Sequence, residues 1–250
     1  NSNMKFVGII PARYASSRFP GKPLVDIQGM SMIQRVYEQC QKANLDTVVV
    51  ATDDQRIFDH VSNFGGTAIM TSEAHQSGTD RVAEASNTLN LKDDDIVINI
   101  QGDEPFIDPE DIALLKSCFK TRDTEIATLI RKIDDVDILN NPNNPKVVLG
   151  EQSQALYFSR QAIPYLRGVE MKDWLDKEDF YQHIGIYAFR KKTLDAITQL
   201  QVSKLERSEG LEQLRWLENG YQIKTATTKN ESIAVDKPED LLRIEDQFFS

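Results

Sequence analysis

Arg13, Arg18 and Lys22 stand close together in the segment Pro11-Ala12-Arg13-Tyr14-Ala15-Ser16-Ser17-Arg18-Phe19-Pro20-Gly21-Lys22-Pro23. Arginine grips phosphate oxygens through a planar fork, and lysine acts as a point charge. Gly21 lets backbone come close to a ligand. Three cations and a glycine in one loop suit a triphosphate. A solvated basic turn is the plain alternative. The segment is not a Walker A loop: its glycine spacing is different, and Pro23 follows Lys22 where Ser or Thr would stand. No G-x-G-x-x-G follows a strand pattern either, which disfavours a dinucleotide fold and a nicotinamide oxidoreductase.

Two carboxylates have metal-ligand placement. Asp103 lies in Gln101-Gly102-Asp103-Glu104-Pro105, directly after an apolar run, and Asp236 follows Ile233-Ala234-Val235, which reads as a short strand. Mg²⁺ takes oxygen ligands and keeps several waters, so one or two carboxylates are enough to hold it on a phosphate substrate. Each aspartate also suits a turn or a helix cap, Asp236 before a helix especially. Gln76-Ser77-Gly78-Thr79-Asp80-Arg81 offers hydroxyls and backbone N–H groups at a helix start. These would read a base edge or a phosphate, or simply cap the helix. His60, His75 and His183 are scattered, His60 within a helix pattern. They suggest neither a Ser-His-Asp triad nor a zinc site.

These residues need a frame that presents them together. Lys5–Ile10, Thr47–Thr52, Thr67–Met70 and Ile96–Ile100 read as apolar strands. Between and after them, Ser31–Ala43, Asp54–Phe64, Thr79–Leu89 and Pro109–Phe119 read as helices. In the first helix Ile33, Val36, Tyr37 and Cys40 share one face. Apolar strands alternating with amphipathic helices predict βαβ units and a mostly parallel sheet covered on both faces. Ligands of such sheets bind beyond the carboxyl ends of the strands, where the loops above begin. Further on, Ile126–Ile133, Lys146–Gly150, Ala155–Ser159, His183–Arg190 and Gln222–Thr228 read as strands. Glu209–Asn219 and Lys237–Phe249 read as helices, the latter with Leu241, Ile244 and Phe248 on one face. Arg167–Phe180 is charged, contains Trp174 and reads as a surface insertion.

The chain has 250 residues, 40% of them hydrophobic, enough for one large α/β domain with or without an appendage. No stretch approaches the roughly 20 apolar residues of a membrane span. No basic segment followed by an apolar core opens the chain, so a cytoplasmic location is expected. Asn1-Ser2-Asn3 before Met4 reads as a cloning remnant. The net charge of −10 argues against nucleic acid as a main partner. Cys40 and Cys118 lie among apolar neighbours without a CxxC pair and read as buried free thiols.

Together these segments resemble the CMP-Kdo synthetases, the CTP:3-deoxy-D-manno-octulosonate (Kdo) cytidylyltransferases of lipopolysaccharide assembly. The resemblance rests on Ile10–Leu24, Ala51–Asp54, His75–Arg81, Gln101–Pro105, Ala155–Arg160, Ile163-Pro164, His183–Arg190, Leu211–Ile223 and Val235–Leu241, in order over nearly the whole chain. The opening loop marks only the wider sugar-nucleotidyltransferase superfamily. QGDEP together with SGTDR and LEQLR is more specific, and sialate-activating cousins differ at the aspartate motif.

The resemblance implies an α/β, Rossmann-like nucleotide-diphospho-sugar transferase fold with a smaller dimerisation part. It implies a single domain over residues 1–250, with a dimerisation or insertion region at about 150–190. Arg13 and Lys22 would bind the triphosphate and, with Asp103, serve catalysis. Ala12, Ser77, Gly78 and Thr79 would hold the cytidine. Asp103 and Asp236 would ligate Mg²⁺. Gln101, Arg160, His183, Tyr187, Glu212 and Gln213 would surround the sugar acid, Arg160 facing its carboxylate. Gln161–Gln182 departs most from the family pattern. The implied partners are CTP, Kdo and a second copy of the chain, with neither nucleic acid nor membrane. Two alternatives stand beside this reading. One is the same chemistry on another acidic sugar, such as a sialic acid or a Kdo analogue. The other is a non-catalytic nucleotide-sugar sensor, against which the basic loop and both aspartates speak.

Overall fold

The computed structural model describes residues 4–231 and 233–250, so the reading of Asn1–Asn3 as a remnant lies outside the described residues. The chain begins with β1 (Phe6–Ala12), a 3-10 turn (Lys22–Leu24), β2 (Asp26–Ile27), β3 (Met30–Ser31) and α1 (Met32–Gln41). β4 (Thr47–Thr52), α2 (Gln55–Asn63), β5 (Ala68–Met70), α3 (Gly78–Ser86), β6 (Ile96–Asn99) and α4 (Pro109–Ser117) follow. Then come β7 (Ile126–Lys132), α5 (Val136–Asn140), β8 (Lys146–Leu149), β9 (Ala155–Ser159), α6 (Trp174–Lys177) and β10 (Tyr181–Arg190). The last elements are α7 (Lys191–Ile197), α8 (Lys204–Glu209), α9 (Gln213–Glu218), β11 (Ile223–Thr227) and α10 (Asp240–Phe249).

Two compact units share these elements. The first comprises Asn1–Ala113, Ala188–Thr198 and Ser232–Ser250; the second comprises Leu114–Tyr187 and Gln199–Glu231. In the first unit β6, β1, β4 and β5 lie side by side, all parallel. Ala12 is opposite Thr52 and Ile9 opposite Asn99, so the loops after β1, β4 and β6 leave the same edge of the sheet. β1 and β6 are apolar on both faces because helices cover them. α1 packs on β1 and β4 through Ile33, Val36, Tyr37 and Cys40, as its spacing predicts. Burying each such side chain is worth roughly 1.5–3 kcal/mol, so this stripe rather than helix propensity fixes α1. Ser31, Asp54 and Ser77 cap α1, α2 and α3, each accepting a first-turn N–H. α10 buries Ile244 beside Ile27, Met32 and Val235.

In the second unit β11 runs parallel to β7, while β8 pairs antiparallel with β9 and with β10. Four expectations change here and at the end of the first unit. The stretch read as a surface insertion buries Trp174 and Phe180 with Ile133 and Leu139. The two rings stack with centroids 5.6 Å apart, and the indole N–H donates to the Val169 carbonyl at 2.9 Å. Its charged residues hid a small satellite core. The helix read over Glu209–Asn219 begins only at Gln213, as α9; Glu209 instead ends α8, a helix not expected from the sequence, because Gly210 takes a left-handed φ of 66°. Ile233-Ala234-Val235 is not a strand. Ile233 and Val235 are apolar because they pack on the α10 core, not because they join the sheet. The closing helix starts at Asp240, whose carboxylate accepts the N–H groups of Asp236 and Lys237, so Asp236 is not its cap. Both cysteines are buried free thiols, as expected. No described helix is long and apolar enough to cross a membrane.

Candidate active site

In the first unit the loops after β1 and β6 and the start of α3 enclose a cleft of about 280 Å³. Ala12, Arg13, Lys22, Ser77, Gly78, Gln101 and Asp103 line it, bringing together residues far apart in sequence. Thr79, the second residue of α3, is buried and does not line the cleft. Gly102 lets the walls close: a Cβ there would sit 2.9 Å from the Pro11 carbonyl oxygen. Gly21 serves a turn. Its φ of 72° suits glycine, and a Cβ would meet the Tyr14 ring at 3.1 Å.

Lys22 and Asp103 form an ion pair in the cleft, and Arg18 and Asp236, which do not line it, form a second. Lys22 Nζ donates to the Val235 carbonyl at 2.9 Å and to Asp103 Oδ2 at 3.4 Å. Arg18 Nη1 meets Asp236 Oδ2 at 2.5 Å. The Val235 N–H donates to the Asp103 carbonyl at 2.8 Å, tying the segment before Asp236 to the loop after β6. Burial holds the Asp103 carboxyl above the usual carboxylate range; Lys22 opposes the rise, and the negative charge of Asp236 adds to it. Arg13 is exposed on the cleft wall, and among the described residues no carboxylate lies within ion-pair distance of it.

The donor set can be tested against Mg²⁺. Two neighbouring carboxylates repel each other and borrow cations from Lys22 and Arg18, as an acidic pair suited to a divalent ion does. Among the described residues no group of three or more His, Cys, Asp or Glu forms a cage. Oxygen ligands in this number fit Mg²⁺ shared with a phosphate substrate, and do not fit a wholly protein-bound ion.

The other expected residues cluster in the second unit. His183 is buried, its Nε2 2.9 Å from Thr128 Oγ1 and its Nδ1 3.5 Å from Gln213 Nε2. Thr128 Oγ1 also lies 2.7 Å from the Ile186 carbonyl, which takes the single hydroxyl hydrogen. This pattern assigns the imidazole proton to Nε2 and leaves Nδ1 as acceptor. Burial pushes the His183 pKa down to about 3, so the ring is neutral near pH 7 and orients its neighbours rather than moving protons. Phe158 and Tyr187 flank it, with centroids at 4.8 and 5.4 Å. Burial, then the charge of Glu212, raises the Tyr187 hydroxyl well above its usual pKa. Arg160 donates to three carbonyls: Glu209 at 2.5 Å, Pro142 at 3.0 Å and Gly210 at 3.0 Å. Two of its five N–H groups are left for another acceptor.

Sequence reading missed two participants with different visibility. Arg81 lines the cleft while bonded to Thr71 and paired with Asp53; it stood inside the quoted SGTDR motif. Thr128, mid-strand among apolar residues, carried no signal at all.

Comparison with known proteins follows the same lines. A profile of the cytidylyltransferase family matches residues 7–229. A 3-deoxy-manno-octulosonate cytidylyltransferase of Parabacteroides distasonis is 56% identical over 242 residues, covering 95% of this chain and 96% of the relative. One from Cytophaga hutchinsonii is 54% identical, covering 98% of each. A solved structure of CMP:2-keto-3-deoxy-manno-octonic acid synthetase complexed with CTP matches with a TM-score of 0.89 and 42% identity over 97% of both chains. A cytidylyltransferase structure from Leptospira borgpetersenii, 17% identical with a TM-score of 0.63 over 99% of this chain and 89% of that one, shares the fold.

Proposed function

This chain belongs to the cytidylyltransferase family, among the 3-deoxy-manno-octulosonate cytidylyltransferases, and from that premise we infer the reaction it performs. It transfers CMP from CTP to the anomeric hydroxyl of Kdo, giving CMP-Kdo and pyrophosphate for lipopolysaccharide synthesis. The observation that carries this reading is the convergence of the basic loop, the Ser77–Gly78 helix start and Asp103 on one cleft, with the segment before Asp236 tied to it by the Val235 N–H bond to the Asp103 carbonyl.

The anomeric oxygen attacks the α-phosphorus, the bond to the bridging oxygen breaks, and pyrophosphate leaves as the hydroxyl proton is lost. Charge builds on phosphate oxygens, so fixed cations do most of the work. Arg13, on the open wall, and Lys22 hold the triphosphate. Lys22 is kept in place by the Val235 carbonyl and by Asp103. Ala12, Ser77, Gly78 and Thr79 hold the cytidine. Asp103 and Asp236 would hold Mg²⁺, which supplies Lewis-acid stabilisation and a lower hydroxyl pKa when bound. With His183 neutral, the second unit binds and orients the sugar acid through Arg160, His183, Tyr187, Glu212 and Gln213, and Gln101 is assigned the same task.

The same reading includes a homodimer and a cytoplasmic location, the latter supported by two unpaired buried thiols. Pyrophosphate release from CTP and Kdo, followed with Mg²⁺ and again with excess chelator, tests the activity. Release with metal and none with chelator is expected; CTP binding without release would favour the sensor. Light scattering tests the dimer, and a monomer mass would refute it.

A further inference from the structure

The cations of the basic loop are carried by a segment that owes its shape to residues which themselves touch no phosphate in the reading above. The Gly21 N–H donates to the Tyr14 carbonyl at 2.8 Å, closing Tyr14–Gly21 into a ring. The Phe19 N–H donates to Ser16 Oγ at 3.3 Å within it. The Tyr14 side chain rests against Gly21, where Cε2, Cζ and Oη would all lie within 3.2 Å of an added Cβ. The guanidinium carbon of Arg56 sits over the same aromatic ring, 3.3 Å from its centroid.

Arg56 is fixed in turn. Asp54 grips it in a fork, Oδ1 at 3.1 Å from Nε and Oδ2 at 2.8 Å from Nη2. Asp54 also caps α2 through the N–H groups of Arg56 and Ile57. A continuous chain of contacts, Asp54–Arg56–Tyr14–Gly21, therefore joins the start of α2 to both ends of the loop bearing Arg13, Arg18 and Lys22. The Arg56 charge is balanced by Asp54, and its planar face is turned to an aromatic ring. It is built as a support rather than as a fourth phosphate cation.

The geometry points to Tyr14 and Arg56 as positioning residues that hold the basic loop in its triphosphate-binding shape before CTP arrives. The inference rests on the reading of that loop as the triphosphate site. Preorganisation lowers the ordering cost of binding, so it should appear only for ligands that the loop grips. CTP and inorganic pyrophosphate engage the loop; CMP, lacking the β- and γ-phosphates, does so much less.

The test is titration calorimetry with Mg²⁺ and no sugar, comparing CTP, pyrophosphate and CMP on wild type, Tyr14→Ala, Tyr14→Phe, Arg56→Met and Lys22→Ala. Tyr14→Ala should weaken CTP and pyrophosphate about tenfold and CMP less than twofold. Arg56→Met should do the same to a smaller degree, and Tyr14→Phe, which keeps the ring, should restore wild-type values. A general folding defect would weaken all three ligands alike. If Tyr14→Ala and Arg56→Met leave the CTP-to-CMP ratio unchanged while Lys22→Ala lowers it, the positioning role is overturned and the triphosphate site stands. If Lys22→Ala leaves the ratio unchanged as well, the loop is not the triphosphate site and both readings fall. Should Tyr14→Ala fail to fold, Arg56→Met, at a largely exposed side chain, carries the test alone.

Discussion

The cleft of the first unit and the polar cluster of the second solve opposite problems. In and around the cleft, charges are partly open to solvent and paired with partners remote in sequence, as in Lys22 with Asp103 and, outside the lining, Arg18 with Asp236. In the cluster, His183 and Tyr187 are buried, uncharged near pH 7, and fixed by hydrogen bonds and ring contacts. On the proposed function, the first arrangement is a store of electrostatic stabilisation whose pairs would be exchanged for ligand phosphates and metal. The second is a rigid shape in which a charge would be costly. Mutations should therefore separate the two regions by what they damage: activity in the cleft, and stability or sugar handling in the cluster.

The largest contrast is expected at Asp103. Asp103→Asn should cut kcat by at least about a thousandfold. The circular dichroism spectrum and melting temperature should stay close to wild type, because a carboxylate held above its usual pKa by burial contributes little to folding. Near-normal turnover would remove Asp103 from the metal site. Next, Lys22→Ala should lower kcat/KM for CTP by about a hundredfold. Unchanged steady-state constants would show that the Lys22 contact with Asp103 is only a resting pair.

The cluster should respond to pH instead. His183 has a folded pKa of about 3 against 6.5 for an ordinary histidine, so below pH 6.5 the unfolded chain binds the extra proton. Its stabilising contribution is complete above pH 6.5 and is lost as pH falls towards 3. Between pH 7.5 and 5 this amounts to roughly 2 kcal/mol. His183→Gln, which keeps a donor for Thr128, should flatten that part of the stability–pH curve in urea melts. An equally steep curve in the variant would assign the proton uptake elsewhere.

The smallest effect serves as a control within the second unit. Burial would raise the Glu206 carboxyl, but the hydrogen bonds and charge of Arg215, with the Ser203 N–H, outweigh it and hold it low. Glu206→Gln should cost about 1–2 kcal/mol of stability at pH 7. That cost should vanish as pH falls through the lowered carboxylate pKa, where wild-type Glu206 is itself protonated. Turnover should not change. A loss of kcat in this variant would blur the proposed division between the two regions.

Local pattern made much of the first unit legible. The stripe Ile33, Val36, Tyr37 and Cys40 located α1, and the apolar runs located β1, β4 and β6 to within a residue or two. The glycines and cations of the cleft stood at strand ends, where a parallel sheet places ligands, so most of the cleft could be named in advance. What failed was whatever depends on partners distant in sequence. Val235 looked like a strand residue because core packing and sheet burial require the same apolar character. Trp174 looked exposed because its neighbours are charged and its partners, Ile133 and Leu139, lie some 35–40 residues earlier. The break at Gly210 was readable, since Ser203 and Glu206 have capping-box spacing ahead of it, with the Ser203 N–H donating to Glu206 Oε1, and glycine ends helices. Thr128 was not, because a hydroxyl inside a strand acquires meaning only when His183 is folded against it.

The central claim is that the electrostatic cleft and the rigid cluster together make a CTP:Kdo cytidylyltransferase. The most direct measurement is pyrophosphate release from CTP and Mg²⁺ with Kdo and a sialic acid assayed side by side. The account predicts release with Kdo and none above background with the sialic acid. Release with the sialic acid alone, or CTP binding with no release from either sugar, would contradict it.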